Sequence, residues 1–201
     1  MTITDKTCKI LFKLFELVIY SSRTNSINHI FRKLPFALTT LYFILEFFMP
    51  VYVKEEYKNL QVNTLKLKKW LITILDQLNC SNMELSVLLV NDYKMRKLNA
   101  EYRKIDATTD VLSFPQTSLG KLDSILLGDV VVSTDTASKQ ANDHAISLEE
   151  EILLLIIHGI LHLLGFDHDK SLSEAKKMKQ KTRHLFKVIF PETELCDSIQ
   201  F

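Results

Sequence analysis

The sequence contains little cysteine, and this limits the metal sites that the chain can form. Only three cysteines occur among 201 residues, and Cys8, Cys80 and Cys196 lie far from one another and from the histidines. Such sparse cysteine indicates a reducing compartment and argues against a cysteine-based metal site. We therefore expect a cytoplasmic protein whose metal ligands, if it has any, are of another kind.

Long hydrophobic runs and a strong net charge are also lacking. Residues 34–49 are apolar, but Pro35 and Glu46 interrupt them, and they fall short of the roughly 20 residues that span a bilayer. No small-residue cleavage site follows a basic start, so we expect neither a secretory signal nor an obligate membrane partner. The net charge of +1 excludes binding of nucleic acid through overall charge alone, and any such contact must come from a local patch.

The chain divides by composition into residues 1–48 and residues 49–201. For the first segment three interpretations remain: a pair of membrane-surface helices, a lid on the main domain, or sequence upstream of a start at Met49. The second segment has the pattern of one mixed domain. The chain has only four glycines and four prolines, and its sequence shows no repeat or low-complexity tract.

Hydrophobic periodicity predicts an α+β domain, with a small mixed β-sheet packed against several helices. In the helix 92–103, Met95, Leu98 and Tyr102 are spaced for burial. The predicted strands are 51–53, 84–90, 111–114 and 124–132, and the predicted helices are 64–78, 92–103, 133–142, 148–164 and 171–188.

Three histidines late in the chain form the strongest chemical signal. His158 and His162 are four residues apart, so on a helix they lie on the same face. Gly165 suits a left-handed helix end, after which the chain can return His168 to the same point. Three protein ligands with an open position are typical of catalytic zinc, so we predict a single Zn²⁺ at the C-terminal end of this helix.

The helix that carries these histidines is predicted to be buried. Residues 147–150 have capping-box form, and between Ile152 and Leu164 the only polar side chains are His158 and His162. Burying an unpaired imidazole is unfavourable by about 1–3 kcal/mol, a cost that metal coordination would remove. The alternative is that each histidine hydrogen-bonds a backbone carbonyl.

Three blocks of the sequence, in this order along the chain, resemble a known family over the region from about residue 51 to the C-terminus. The blocks read Leu98-Asn99-x-x-Tyr102-Arg103-x-x-Asp106-x-x-Thr109-Asp110-Val111-Leu112-Ser113-Phe114-Pro115, Leu127-Gly128-Asp129-Val130 and His158-Gly159-x-Leu161-His162-Leu163-x-Gly165-x-Asp167-His168. They are similar to the motifs of the YbeY family of bacterial endoribonucleases, which act in the maturation of ribosomal RNA.

The resemblance implies a function and assigns the site. It implies a zinc-dependent endoribonuclease that cuts single-stranded precursor rRNA in late maturation, at the 3′ end of 16S rRNA, and in ribosome quality control. Ribosomal subunits or ribosomal proteins are then expected as partners. His158, His162 and His168 would bind the zinc, with His158 also counted as catalytic. Arg103 would be the catalytic and substrate-binding cation.

The chemistry of phosphodiester cleavage makes the role of Arg103 reasonable. Negative charge develops on two non-bridging oxygens, and a guanidinium holds both in a fork. The alternative is that Arg103 ends a helix and pairs with Asp106 or solvent. For Asp129 two roles remain, orienting a zinc-bound histidine or closing a turn after Gly128.

Two other functions stay open. The histidine spacing equals that of H-E-x-x-H-x-x-G-x-x-H zinc peptidases, but Gly159 stands where those enzymes have their catalytic glutamate. The second is a ribosome-assembly factor without enzymatic activity whose zinc is structural. For the nuclease itself, the sequence does not choose between water and a ribose 2′-hydroxyl as nucleophile.

Overall fold

Four strands form one mixed β-sheet in the computed structural model, which describes residues 51–56, 62–116, 126–167, 171–196 and 199. The strand order is β1-β2-β4-β3. β1 and β2 are parallel, as are β2 and β4, whereas β3 runs antiparallel to β4 at one edge. The strands are β1 (Val51–Glu55), β2 (Glu84–Val90), β3 (Val111–Pro115) and β4 (Leu126–Ser133).

Five helices accompany the sheet in the described ranges, and the class predicted from periodicity is confirmed. The helices are α1 (Thr64–Gln77), α2 (Asp92–Arg103), α3 (Thr134–His144), α4 (Leu148–Leu163) and α5 (Leu172–Ile189). In this part of the chain no helix is both long enough and apolar enough to span a membrane. The predicted extension 1–48 lies outside the described residues, and its interpretation stays a prediction.

Different helices cover the two faces of the sheet. Side chains alternate between these faces along each strand, so the clusters that successive residues join show which helix lies on which face. In β4, Val130 and Val132 belong to the large core cluster, which also contains the buried residues of α1, α4 and α5. Val131, between them, belongs to a small cluster that includes Met95 of α2. Therefore α4 and α2 lie against opposite faces of the sheet.

Helix α4 is the centre of the large core cluster, as its apolar sequence predicts. Every residue from Glu151 to Leu161 is buried. Its start has a capping box, in which Glu150 N–H donates to Ser147 Oγ at 3.3 Å and Ser147 N–H donates to Glu150 Oε2 at 2.8 Å. The two reciprocal bonds satisfy donors that the first helical turn otherwise leaves unpaired.

The prediction for one residue of α2 is wrong. Met95 is buried and Leu98 packs against the small cluster, as expected. Tyr102, which follows Leu98 by four residues, was predicted to be buried with them but is 58% exposed. Tyr102 lies in the last turn of α2 and packs on Phe114 of the edge strand β3, where solvent still reaches most of its ring.

Candidate functional site

His158 and His162 lie side by side on one face of α4, as their spacing predicts. Their Nε2 atoms are 3.0 Å apart, and their ring planes are nearly perpendicular, at 86°. His158 is buried, with 7% of the residue exposed, and His162 is half-buried. A helix that is otherwise apolar at this end therefore presents two ring nitrogens to a single point.

The end of α4 fixes the orientation of His162. Gly165 adopts a left-handed conformation with φ of 86°, as predicted. Gly165 N–H then donates to the carbonyl of His162 at 2.9 Å and Phe166 N–H to that of Leu161 at 3.0 Å, the pair of bonds that defines a Schellman motif. The turn places Phe166 O at 3.1 Å from Nδ1 of His162. A carbonyl can only accept, so Nδ1 carries the proton and Nε2 is the lone-pair nitrogen.

This arrangement fits a zinc ion. Zinc binds imidazole nitrogen at about 2.0–2.1 Å, so two tetrahedral nitrogen ligands stand about 3.3 Å apart. The observed separation of 3.0 Å between the two Nε2 atoms differs from that value by only a few tenths of an ångström. A backbone carbonyl that holds the other ring nitrogen is also the usual partner of a metal-binding histidine. The donor set formed by His158 and His162 is therefore suited to the metal.

The third predicted ligand, His168, lies outside the described residues. The described segment that contains α4 ends at Asp167, which is partly buried. Within the described ranges, no group of three His, Cys, Asp or Glu side chains is assembled in a way that could hold a metal. The ligand set of three histidines thus stays a prediction, with two of its members brought together.

Arg103 is the last residue of α2, and it is exposed. Lys104 closes the helix in a left-handed conformation with φ of 63°. The predicted alternative partner, Asp106, is held by Arg96 instead, with Nε at 2.7 Å and a terminal nitrogen at 2.8 Å, and this pair lowers the pKa of Asp106. Arg103 forms no salt bridge with any residue that the structure describes. Its guanidinium is therefore not committed to Asp106.

The edge strand β3 connects the ends of α2 and α4. The ring of Tyr102, the neighbour of Arg103, contacts the ring of Phe114 with a centroid distance of 5.0 Å. On the other face of the strand, Ser113 Oγ donates to the carbonyl of Gly159 at 3.2 Å, beside His158. Ser113 thus joins β3 to the backbone of α4. The two predicted catalytic elements lie on opposite faces of the same strand.

Gly159 permits the close approach of α4 to the sheet. A Cβ atom at this position would lie 2.9 and 3.2 Å from the two methyl groups of Val130 and 3.0 Å from Ser113 Oγ. Position 159 therefore faces the sheet. A glutamate there would have no room, and it would not point towards the histidine nitrogens. This packing argues against the peptidase interpretation for a reason separate from the missing carboxylate.

Asp129 does not take the orienting role considered for it. Val130 meets Gly159 of α4, and because side chains alternate, Asp129 points to the opposite face of the sheet. Its carboxylate accepts a hydrogen bond from Gln116 Nε2 at 2.9 Å. Asp110 closes the turn into β3, since its Oδ1 accepts a hydrogen bond from Val111 N–H at 2.7 Å.

A buried pair of polar side chains, Glu151 and His144, was missed by sequence reasoning, and Glu151 lies on the face of α4 that carries the histidines. Glu151 is 1% exposed, and its Oε2 lies 2.7 Å from Nδ1 of His144 on α3. Burial raises the pKa of Glu151, the bond to His144 lowers it, the charge of Asp110 raises it, and the net shift is upward. The signal was the spacing: Glu151 precedes His158 by seven residues, two helical turns.

Comparisons with known proteins agree with this arrangement of elements. Residues 52–189 match the family model described as endoribonuclease YbeY. An endoribonuclease YbeY of Aquifex aeolicus is 48% identical over 124 residues, which cover 61% of this chain and 81% of that protein. One from Geobacter metallireducens is 35% identical over 144 residues, covering 70% and 96% of the two chains. The solution structure of a Thermotoga maritima protein has a TM-score of 0.53 at 27% identity and covers 71% of this chain and 90% of that one. The chain belongs to the endoribonuclease YbeY family.

Proposed function

We propose that this protein is a zinc-dependent endoribonuclease that cleaves single-stranded RNA in the late maturation of ribosomal RNA, at the 3′ end of 16S rRNA, and in ribosome quality control. Membership of an endoribonuclease family supports hydrolysis of RNA. The observation that carries the metal dependence is the pair of Nε2 atoms of His158 and His162, 3.0 Å apart on a buried helix. With His168 as the third ligand, one zinc ion would be held and a position left open.

The protein's own groups set up the histidine pair. The carbonyl of Phe166 holds Nδ1 of His162 and so aims Nε2 towards His158. The surrounding core fixes His158 because every residue of the preceding two turns is buried. When bound, zinc lowers the pKa of a coordinated water towards about 7 and polarises a phosphoryl oxygen. Because the Phe166 carbonyl and the surrounding core already orient the two rings, the histidines need little rearrangement to act as ligands.

Arg103 would stabilise the negative charge that develops on the phosphate. A guanidinium binds two non-bridging oxygens at once, and donors already in place contribute most when the charge appears. Asp106, the nearby acidic residue, is occupied by Arg96. Arg103 is exposed and is therefore accessible to a substrate phosphate.

The position of β3 supports the proposed preference for single-stranded RNA. Arg103 and the histidines belong to helices on opposite faces of this edge strand, so a substrate that reaches both must bend round the edge. An unpaired strand can bend in this way, whereas a stiff A-form duplex cannot. With a net charge of only +1, the chain would gain further affinity for rRNA from ribosomal subunits or ribosomal proteins in the cytoplasm.

Cleavage of a labelled single-stranded RNA tests the proposal. The parent should cut in the presence of Zn²⁺, lose activity with a chelator and recover it when Zn²⁺ is returned. His158→Ala should abolish cleavage with the fold retained, whereas His184→Ala, an exposed histidine of α5, should cut like the parent. Arg103→Ala should lower the rate by about 10²–10³-fold, and Arg103→Lys should recover part of it because the charge remains without the fork.

Other outcomes would favour the alternatives. If the parent cuts no RNA and His158→Ala unfolds, the metal is structural and the assembly-factor interpretation gains support. If His158→Ala and Arg103→Ala cut RNA as fast as the parent, the activity does not come from this site. Chelator-sensitive cleavage of a peptide without cleavage of RNA would support the zinc peptidase in spite of Gly159.

A further inference from the structure

Tyr102 is an exposed aromatic residue beside the proposed catalytic arginine. It is 58% exposed, although its spacing from Met95 and Leu98 predicts burial. Arg103 follows it at the end of α2. The next apolar residue, Ile105, is 52% exposed as well. Single exposed apolar side chains are ordinary, so exposure alone assigns no role.

The ring of Tyr102 is supported from beneath. It packs edge to face on Phe114, with a centroid distance of 5.0 Å and an interplanar angle of 66°. Phe114 in turn packs against the small core cluster formed by Val90, Met95, Leu112 and Val131. The ring is thus held against the rigid sheet while most of its surface faces solvent, which keeps the entropy lost on binding low.

A fixed aromatic ring beside a cation is suited to nucleic acid. Bases of single-stranded RNA stack on exposed aromatic side chains, while cations along the same surface contact the phosphates. Tyr102 and Arg103 are consecutive residues, so a base on the ring and the phosphate of the same or the adjoining nucleotide would be within reach of both.

We propose that Tyr102 is a stacking platform for one base of single-stranded RNA, and that it positions the neighbouring phosphate at Arg103. This inference rests on the proposed ribonuclease function and names a positioning residue for it. Every base has a flat face, so this contact holds the strand in place without selecting its sequence. Sequence or site preference then has to come from elsewhere on the enzyme or from a partner.

Steady-state cleavage of a short RNA by Tyr102→Leu, Tyr102→Phe and a matched control tests the platform. Tyr102→Leu should raise KM by about 5- to 150-fold, the range measured for loss of one stacked base, with kcat little changed. Tyr102→Phe should behave like the parent, because the ring and not the hydroxyl does the stacking. The control is Tyr93→Leu: Tyr93 is 64% exposed on the same helix, but nine residues away and therefore on the opposite side. It should leave KM unchanged.

A substrate with one abasic nucleotide, moved stepwise along the RNA, separates stacking from a structural role. With the parent, one abasic position should raise KM about as much as Tyr102→Leu does. With Tyr102→Leu, the same abasic substrate should bind no worse than the intact RNA, since the platform is already lost.

The outcomes are distinguishable. An unchanged KM for Tyr102→Leu overturns the platform and leaves the ribonuclease intact. If Tyr102→Leu raises KM by the same factor for intact and for abasic RNA, Tyr102 only supports Phe114 and β3. That result also overturns the stacking platform. If the parent itself cuts no single-stranded RNA, the proposed function fails and the platform fails with it.

Discussion

At the scale of single residues, Gly159 sets the distance between the histidine helix and the sheet. Its missing side chain lets Val130 and Ser113 touch the helix backbone. Val130 is β-branched and sits in the middle of β4, so its methyl groups have little freedom to move away. The position of His158 relative to β3 therefore depends on the absence of a side chain at the next residue.

Gly159→Ala should destabilise the protein even though alanine is the better helix former. The propensity gain is about 1 kcal/mol, whereas overpacking a buried contact typically costs about 1–3 kcal/mol. We expect a net loss in the free energy of unfolding measured in urea. Val130→Ala removes both opposing methyl groups, so Gly159→Ala should be less harmful in that background. A Gly159→Ala variant as stable as the parent would contradict the close approach.

At the scale of elements, the two ends of α4 explain why this helix begins and stops where it does. Its first turn contains three successive glutamates, and each has a different partner. Glu149 binds Lys66 Nζ at 2.8 Å, Glu150 completes the capping box, and Glu151 is buried against His144. At the other end, Gly165 turns the chain so that the carbonyl of Phe166 reaches His162.

Gly165→Ala should lower the free energy of unfolding by about 1–2 kcal/mol through backbone strain alone. The residue has φ of 86°, and no atom of the described residues lies within 4 Å of an added Cβ, so strain and not a clash is the expected cause. Gly165→Asn is the matched control, because asparagine tolerates the left-handed conformation better. Urea denaturation should rank glycine above asparagine and asparagine above alanine. Equal stability of the alanine and asparagine variants would count against a strained turn.

The sequence predicts the ends of helices well, because the signals for them lie within a few residues of each other. It does not predict the orientation or exposure of a side chain when contacts between distant parts of the chain determine them. The capping box and the left-handed glycine of α4 follow from residues within one turn of each other. The orientation of Asp129 depends on which side of β4 faces α4, and the exposure of Tyr102 depends on its position beside β3, at the edge of the sheet. Neither property is encoded in a short pattern. Of the three histidines predicted to bind a metal, the structure brings His158 and His162 together, and the complete ligand set with His168 stays a prediction.

At the scale of the whole molecule, Asp92 ties together segments that are distant in sequence. It begins α2 directly after β2, and its carboxylate accepts hydrogen bonds from Ser133 at the end of β4 and from Thr136 and Lys139 of α3. Thr108, in the loop that leads to β3, also donates to it at 3.3 Å. One carboxylate thus joins two strand ends, two helices and a loop on the carboxyl side of the parallel strands.

The acid stability of the protein should depend on Asp92. Burial alone would raise its pKa, but the bonds from Ser133, Thr136 and Lys139 outweigh that effect and lower the pKa to about 2. Because the folded pKa lies below the unfolded value of about 3.9, the stabilisation is present above about pH 4 and is lost as the pH falls through about 2.

Urea denaturation at a series of pH values checks this. Asp92→Asn should be less stable than the parent by about 1–3 kcal/mol at neutral pH, and the difference should shrink between pH 4 and 2. Asp143→Asn, at an exposed position of α3, is the control and should follow the parent throughout. A difference between Asp92→Asn and the parent that stays constant down to pH 2 would show that the carboxylate charge is not what matters.

The strand order β1-β2-β4-β3 also has a consequence for cooperativity. β1 and β3 are the two edges of the sheet, and two strands separate them. Edge strands open more readily than central ones, and partial opening proceeds in contiguous units. Fraying of β1 would therefore leave the pairing of β3 with β4, and the contact of β3 with α4, in place. The sheet can therefore open locally at β1 while β3 keeps its native pairing. Arg103 and the two histidines lie near β3, so this opening would leave their surroundings intact.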